Sequence, residues 1–542
     1  MTPALAGRVL DPQQQPLRGA QVVVHFNGKL ADGIVAESQS DGTYQISLDD
    51  LSDESFESLT LDFERSHFAS ATWSASESEL AALNEGYSVF VPDVVLKREL
   101  TAGFWVATAV FIVMLLSIAF ELLNKTMASM ISMAVIFGVS FVGGALTHDL
   151  FIFGFDRALE YVDFNVIFLL LGMMIVIGVT EETGIFQWLA YQAYRISRGR
   201  ASLLVIVLMV ITAVASALLD NVTTMLLMAP ITLQIAIALD IDPLSLLLPE
   251  VMASNIGGIS TLIGTPTNIL IGSFAGIGFN GFLANLTPGV LLALTALSGY
   301  VLLRYRKQYR AVGSGISPAL LNRLEEQGRI REPVNLRKAG VVFGVMMALF
   351  VFGESFHLVP AVTALIGASV LLLWVGLDID RMLKVVDWTT LMFFITLFIV
   401  IGAVQEVGLI GVIASSLSSI IGDRLLAGVL VLTWSAAFLS GAIANIPFTA
   451  AMLPVAGFLT STIPGAEGNV LFYGLSVGAA MGGNTSLIGA SANLVTAGIA
   501  ASAGYPITFR RFASVSLPAM VITVAVGTLW LVLHFSLLAP GG

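Results

Sequence analysis

The sequence predicts a mostly α-helical, polytopic membrane protein: two inverted repeats, each of five spans plus a re-entrant hairpin, with unwound helices at the midplane and a small β-sandwich in front. Three observations predict it. Hydrophobic residues make up 56% of the chain and charged residues 11%, with a mean hydropathy of +0.89, whereas about a quarter of a soluble domain is charged. From Phe104 onward, apolar runs recur that are long enough for a hydrocarbon core about 30 Å thick. The later runs repeat the earlier ones with their polar residues in order.

Composition also narrows function. The formal charge is −12 and the basic residues form short clusters, which excludes a nucleic-acid face. With no Cys, the chain has no disulfide, Cys-ligated zinc or thiol chemistry, and its five His form no ligand-spaced pair. No nucleophile with a partner base stands out, so an enzyme is not expected. The opening "MTPALAGRVLDPQQQPL" lacks the basic start and apolar run of a secretory signal.

Residues 1–99 read as a separate extramembrane β-sandwich. They hold 16 of the 37 Asp and Glu against six Lys and Arg. Alternating runs such as "AQVVVHF" and "TYQISL" predict strands, with turns expected at Asp32-Gly33 and Asp41-Gly42. "GRVLDPQQQPLRGAQVVV" followed by "SDGTYQISL" resembles carboxypeptidase-regulatory-like domains, and the resemblance implies an accessory role.

Residues 100–303 form the first expected repeat. Its spans fall near 104–123, 128–146 and 164–180, then a block over 201–240 broken at its middle, then 246–276 and 284–303. A basic linker over 304–338 follows. The second repeat, 339–542, has spans near 339–355, 359–376 and 388–404, a broken block over 425–462, then 470–501 and 514–536. Adding 224 takes Asp163 to Asp387, Glu182 to Glu406, Gly184 to Gly408, Asn221 to Asn445 and Pro230 to Pro454. After one inserted residue, "GGISTLIGTPTN" from Gly257 falls on "GGNTSLIGASAN" from Gly482.

Charge sets the expected orientation. Nine Lys or Arg between Arg304 and Lys338 place that linker in the cytoplasm, together with "YRISRGR" ending at Arg200 and "FRRF" at 509–512. Because five crossings is an odd number, the second repeat is upside down. Residues 1–99 and the C-terminus are then expected outside, on the periplasmic or extracellular face of the cell (inner) membrane.

The polar interruptions are where chemistry is expected. "SNIGGISTLIGTPTN" over 254–268 breaks a span, and non-helical backbone at membrane depth needs protein or a cavity to satisfy it. Close helix packing explains Gly257, Gly258 and Gly264. It does not explain Asn255, Ser260, Thr261, Thr265, Thr267 and Asn268, nor their echo in Asn484, Thr485, Ser486, Ser491 and Asn493. We expect a coupling ion, with Na⁺ the only metal considered, at Asp220, Ser254, Asn255, Ser260, Thr261, Thr265, Asn268, Thr485, Ser486 and Asn493. Substrate is expected at Asn221, Thr223, Thr224, Asn445, Thr449, Gly257, Gly483 and Asn484.

"SALLDNVTTMLLMAPI" and "SGAIANIPFTAAMLPV" read as the two hairpins, with tips that meet the unwound helices. Asp220 is the acid of these motifs, and its repeat mate is Ala444. With no Lys or Arg in any motif, it either takes part in cation or proton coupling or caps the second hairpin arm. Glu181, Glu182 and Glu406 read as interfacial or packing residues, Glu250 as a residue of the cytoplasmic rim, and Trp188, Tyr191 and Tyr194 as interface anchors.

"EETGIFQWLAYQAYRISRGR", "LDNVTTMLLMAPIT" and "SNIGGISTLIGTPTNILIG" resemble the ion transporter superfamily, over roughly residues 104–537, and within it the P protein and arsenite permease branch. Citrate and dicarboxylate carriers and NhaD-type antiporters belong to the same superfamily. The resemblance implies a homodimer in which hairpins and unwound helices move as an elevator, with paired hairpin tips holding substrate. In the dicarboxylate carriers those tips are Ser-Asn-Thr; here Asp220-Asn221-Val222 and Ala444-Asn445-Ile446 keep the Asn alone. The expected function is secondary active transport of a small inorganic or organic anion, coupled to Na⁺ or H⁺. The alternative is a Na⁺/H⁺ antiporter using Asp220. Beyond Na⁺ no cofactor is expected, and the partners are the lipid bilayer and a second copy of the chain.

Overall fold

A computed structural model describes residues 3–535 apart from 13, 15, 49–54, 199, 312–324, 327 and 377–378. Part of the expected 304–338 linker and the last seven residues of the chain therefore lie outside the described residues.

The N-terminal β elements are β1 (Ala4–Leu10), β2 (Gln21–Phe26), β3 (Lys29–Glu37), β4 (Thr43–Ser47), β5 (Leu59–Glu64), β6 (Ala71–Ser74), β7 (Val89–Phe90) and β8 (Val94–Val95). They form two four-stranded sheets, β4-β1-β7 with β8 also on β1, and β3-β2-β5-β6. Alternation along the strands puts Leu5, Val9, Val22, Val24, Leu61 and Phe63 in a shared core. The β2–β3 hairpin turns at Asn27-Gly28, where both residues have positive φ, the geometry an Asn-Gly pair favours. Asp32-Gly33, expected as a turn, instead lies inside β3. Pairing there jumps from Val23↔Val35 to His25↔Leu30, so a bulge absorbs the extra residues of β3. Helix α1 (Glu77–Asn84) starts at a Ser76/Glu79 capping box.

Among the described residues, sixteen principal helices repeat in two series of eight. The first series is α2 (Ala102–Ala119), α3 (Lys125–Leu146), α5 (Phe164–Glu182), the hairpin arms α7 (Ala201–Leu218) and α8 (Asn221–Ala238), a broken helix made of α9 (Leu244–Gly257) and α10 (Pro266–Ala275), and α11 (Phe279–Arg304). Short helices α4 (Phe155–Glu160), α6 (Ile185–Ser197) and α12 (Arg306–Ala311) join them. The second series is α13 (Pro333–Phe352), α14 (Pro360–Val375), α16 (Trp388–Glu406), the arms α18 (Leu425–Ile443) and α19 (Asn445–Thr462), the broken pair α20 (Val470–Gly482) and α21 (Ser491–Ser502), and α22 (Phe509–Leu533), with short helices α15 (Ile379–Val385) and α17 (Leu409–Ile421). In each series the two arms count once as a hairpin and the two halves of the broken helix once as a span, which leaves five crossings and an inverted second half.

Among the described residues ten helices are long and apolar enough to cross a membrane. These include three hairpin arms and omit both broken helices, so length and composition alone misassign the topology. Burial corrects it. Every residue of α9 and of α20 is buried, so these helices run through the middle of the protein. Conversely, Trp105, Val113, Phe120, Val345 and Leu373 on the outer helices are exposed, as lipid-facing positions are.

Contacts divide the chain into two compact units, each with its own interior. One comprises Met1–Phe111, Ala134–Leu159 and Gly402–Leu409, and the other comprises Ile112–Met133, Glu160–Ile401 and Ile410–Gly542.

Candidate functional site

The site is built where helices begin. At the first hairpin tip Asp220 has an extended backbone and caps α8. One carboxylate oxygen accepts from the Thr223 N–H at 2.7 Å, and the other accepts from the Thr223 hydroxyl at 2.5 Å. The Thr224 hydroxyl donates to the Asp220 carbonyl at 2.8 Å. Capping therefore occupies both oxygens of Asp220, while each keeps a lone pair for a further partner. At the second tip Ala444 has φ 77° and ψ 142° and no side chain that caps α19.

The unwound stretches settle where their backbone groups go. After α9 a 3₁₀ turn over Gly258–Ser260 leads to extended backbone at Thr261, and α10 begins after Thr265, whose hydroxyl accepts from the Asn268 N–H at 3.2 Å. The Asn268 side-chain amide donates to the Ile259 carbonyl at 3.0 Å and the Thr261 carbonyl at 2.8 Å. In the second repeat the Asn493 amide donates to the Gly483 and Ser486 carbonyls at 2.8 and 2.9 Å. The Asn that opens each half-helix thus satisfies the carbonyls freed by the break.

Glycines do a different job. A Cβ on Gly257 or Gly482 would run into the backbone of Ala213 or Ala437, and one on Gly264 would strike Gly258 and Ser216. These positions let helix and hairpin approach closely. Hydroxyls tie the same surfaces: Ser216 donates to the Ser254 carbonyl at 2.8 Å and its repeat mate Ser440 to the Ala479 carbonyl at 2.7 Å. Thr261 donates to Ala217, Thr485 to Ala437 and Ser486 to Gly441.

The two repeats meet in a buried chain of asparagines. Asn221 Nδ2 donates to Asn255 Oδ1 at 2.8 Å, and Asn255 Nδ2 donates to Asn484 Oδ1 at 2.8 Å and Asn493 Oδ1 at 3.0 Å. A second link runs from the Ser476 hydroxyl to Asn268 Oδ1 at 2.6 Å. Asn255 is the hub, and its repeat mate is Ala480.

Beside this layer lies a cavity of about 190 Å³. Asp220, Asn221 and Thr223 line it from the first tip, Asn445 and Ile446 from the second, Pro266 and Ser491 from the half-helices, and Asp387 and Thr390 from α16. Five helix N-termini, those of α8, α10, α16, α19 and α21, therefore open on one space. Of the expected site residues, Asp220, Asn221, Thr223 and Asn445 line the cavity. Asn255, Asn268, Asn484 and Asn493 form the hydrogen-bonded layer, and Ser254, Ser260, Thr224, Thr265 and Thr449 are buried around it. Gly257 and Gly483 lie at the breaks, where close approach governs them.

Sequence reasoning missed Lys125 and Asp387. Lys125 opens α3, sits over the Phe393 ring at 5.3 Å and lines the cavity with Asp220, Asp387 and Glu181. Asp387 caps α16 as Asp220 caps α8, accepting from the Thr390 N–H at 3.1 Å and the Thr390 hydroxyl at 2.5 Å. A lone Lys at the head of an apolar run signals only a span boundary, and its route into the cavity is a tertiary fact. Glu250, expected at the cytoplasmic rim, is completely buried instead, because α9 is enclosed on every side.

The citrate transporter family model, CitMHS, matches residues 112–471. Uncharacterized transporters of Mycobacterium bovis and Mycobacterium tuberculosis are each 37% identical over 434 residues, which is 80% of this chain and 99% of theirs. The P protein of Homo sapiens is 34% identical over 505 residues, covering 79% of this chain and 59% of that protein. Among solved structures, the YdaH transporter of Alcanivorax borkumensis shares the fold with a TM-score of 0.53 and 13% identity, covering 77% of this chain and 99% of that one.

Proposed function

Since the chain belongs to the citrate transporter family, whose members are transporters and not enzymes, we propose that it is a secondary active transporter of a small anion coupled to Na⁺ or H⁺. The observation that carries this reading is the convergence of five helix N-termini and the Lys125 ammonium on the cavity between the hairpin tips. N-terminal amides and partial positive charge suit an anion, with Asp220 and Asp387 offsetting two of the five ends. Asn221, Thr223 and Asn445 supply neutral donors and acceptors for orientation. Na⁺, where it is the coupling ion, would draw on the oxygens of Asp220, Ser254, Asn255, Ser260, Thr261, Thr265, Asn268, Thr485, Ser486 and Asn493. The hydroxyls of Ser254, Thr261, Thr485 and Ser486 donate to carbonyls and keep lone pairs for a cation.

Alternate access by an elevator motion of hairpins and broken helices, in a homodimer in the cell membrane, completes the proposal. The outward placement of residues 1–99 is supported by their sharing a compact unit with Gly402–Leu409. The repeat mate of Gly408 is Gly184, which precedes the basic sequence over 195–200, and an odd number of crossings per repeat predicts opposite sides of the membrane for the two.

Proteoliposome flux provides the test, with Na⁺, pH and voltage varied in turn for radiolabelled chloride, arsenite and citrate. Movement of an anion under one imposed gradient is expected; immobility of every anion under every gradient sinks the assignment. One observation favours a second reading: the cavity holds three carboxylates, from Glu181, Asp220 and Asp387, against one ammonium. That excess fits Na⁺/H⁺ exchange on Asp220, and cation-driven proton flux that D220N abolishes is its signature.

A further inference from the structure

Glu250 lies in the middle of α9 with no exposed surface. One carboxyl oxygen accepts from the Thr212 hydroxyl of α7 at 2.9 Å. The other, Oε2, has no hydrogen-bond partner, and neither has the buried hydroxyl of Thr232 on α8, the other polar group beside it. Among the described residues of the packed helices, α7, α8 and α21 contain no acid or base. The titratable groups on the others are Tyr300 and Arg304 on α11, Tyr473 on α20, and Arg510 and Arg511 on α22, where Arg511 pairs with Asp242, and Tyr309 of α12 donates to the Ser245 carbonyl of α9. None of them acts on the Glu250 carboxyl, so among the described residues no cation balances it.

The second repeat shows that the fold does not need this group. Equivalent positions are Ala436, Ala456 and Leu475, so Thr212, Thr232 and Glu250 are all replaced by apolar residues. The alignment is anchored in space as well as sequence, since Gly257 packs on Ala213 as Gly482 packs on Ala437. Three polar residues from three helices, present together in one repeat and absent together from the other, form one device.

We propose that Glu250, flanked by Thr212 and Thr232, is a proton-binding site that couples transport to H⁺. This rests on the transporter reading above and names its coupling ion. An unpaired carboxylate stripped of water is strongly disfavoured, whereas a neutral carboxyl needs one acceptor for its O–H. Thr212 donates to the carbonyl oxygen, and the free lone pairs of Thr232 can take the O–H after a small rotation. Releasing the proton requires hydration or a counter-cation, which a change of access supplies. The three or four oxygens here fall short of a Na⁺ shell.

Infrared difference spectra of the full-length wild type and E250Q, reconstituted in phosphatidylcholine vesicles at neutral pH, test the protonation. We expect a neutral-carboxyl carbonyl band in the wild type that is missing from E250Q and shifts in D₂O. Carboxylate bands in its place, or a band that disappears on adding Na⁺, overturn the proposal. The variant T212A/T232A/E250L, which copies the second repeat, controls for folding. In proteoliposomes with an internal pH dye, anion flux in the wild type should acidify or alkalinise the lumen, and flux in E250Q should not. Wild-type flux without a pH change overturns the coupling role. Absence of all flux tells against the transporter reading instead, and the infrared result still decides whether Glu250 carries a proton.

Discussion

At the scale of single residues, the clearest consequence concerns Asn255. N255A would leave the Asn221 amide and the Asn484 and Asn493 side-chain oxygens short of a partner in a buried layer, at about 1–3 kcal/mol per unsatisfied group. We expect a loss of about 2–5 kcal/mol, read as a lowered thermal midpoint in detergent, together with weakened transport. Lys125 is the residue whose loss should affect transport more than folding. K125M keeps the stem over Phe393 and removes the charge, and a fall in anion flux of about tenfold, or about 1.4 kcal/mol, is expected. Unchanged flux in a well-folded K125M would exclude the ammonium from substrate binding. His67 offers a pH signature in the first unit. Nε2 lies 3.2 Å from the Ile152 carbonyl and so donates to it, which leaves Nδ1 to accept from the Thr101 hydroxyl at 2.8 Å. Burial pushes the imidazole below its ordinary range. The folded state therefore refuses a proton that the unfolded chain binds below about pH 6.5. The stabilisation is complete above that value and drains away as pH falls toward the folded pKa. Limited proteolysis of the head should accelerate on acidification through this window, and H67Q should lose the acid dependence.

Among secondary-structure elements, the two hairpins differ in what their symmetry tolerates. Asp220 caps α8 from an extended backbone, whereas Ala444 holds a positive φ that a side-chain-bearing residue adopts only under strain. A444G should relieve roughly 1 kcal/mol of that strain and raise the thermal midpoint. If the midpoint falls, the tip is not strained. The broken helices carry another lesson at this scale. Pro249 has no N–H for the Ser245 carbonyl, and the Tyr309 hydroxyl donates to that carbonyl at 2.6 Å instead. A sequence pattern announces the break in the ladder but cannot name the distant group that repairs it.

For the whole molecule, the division into units changes what the N-terminal sandwich means. Within the first unit the Arg65 guanidinium pairs with Glu406, Arg157 Nε lies 3.2 Å from the other carboxylate oxygen, and Arg98 Nη1 donates to the Glu406 carbonyl at 2.9 Å. Arg65 and Glu406 are 10% and 7% exposed, so their pairing is a buried one. R65A should cost about 1–3 kcal/mol, because the buried carboxylate loses one of its two cations while Arg157 keeps the other oxygen, and R65M/E406M should cost less than the sum of the two single variants. Thermal midpoints of the two singles and the double, as a double-mutant cycle, check this. A protein lacking residues 1–99 is accordingly best compared with one that also carries E406Q. Persistence of transport in that pair fits an accessory head, and its complete loss in a correctly inserted protein assigns the head an essential role.

The sequence by itself determined the fold class, the repeat, the order of spans, hairpins and breaks, and the polar residues of the central layer. These are written in local patterns: apolar length, Gly and Pro at interruptions, and Asn at the start of each half-helix. Only the tertiary structure decided the surroundings of each charge. Lys125 in the cavity, Asp387 at its wall, Glu250 without a counter-charge and Glu406 among arginines all depend on contacts between residues far apart in the chain. An ionisable side chain takes its character from how much water it loses and which charge replaces that water. Those two quantities have no period in the sequence, and the packing of helices sets both.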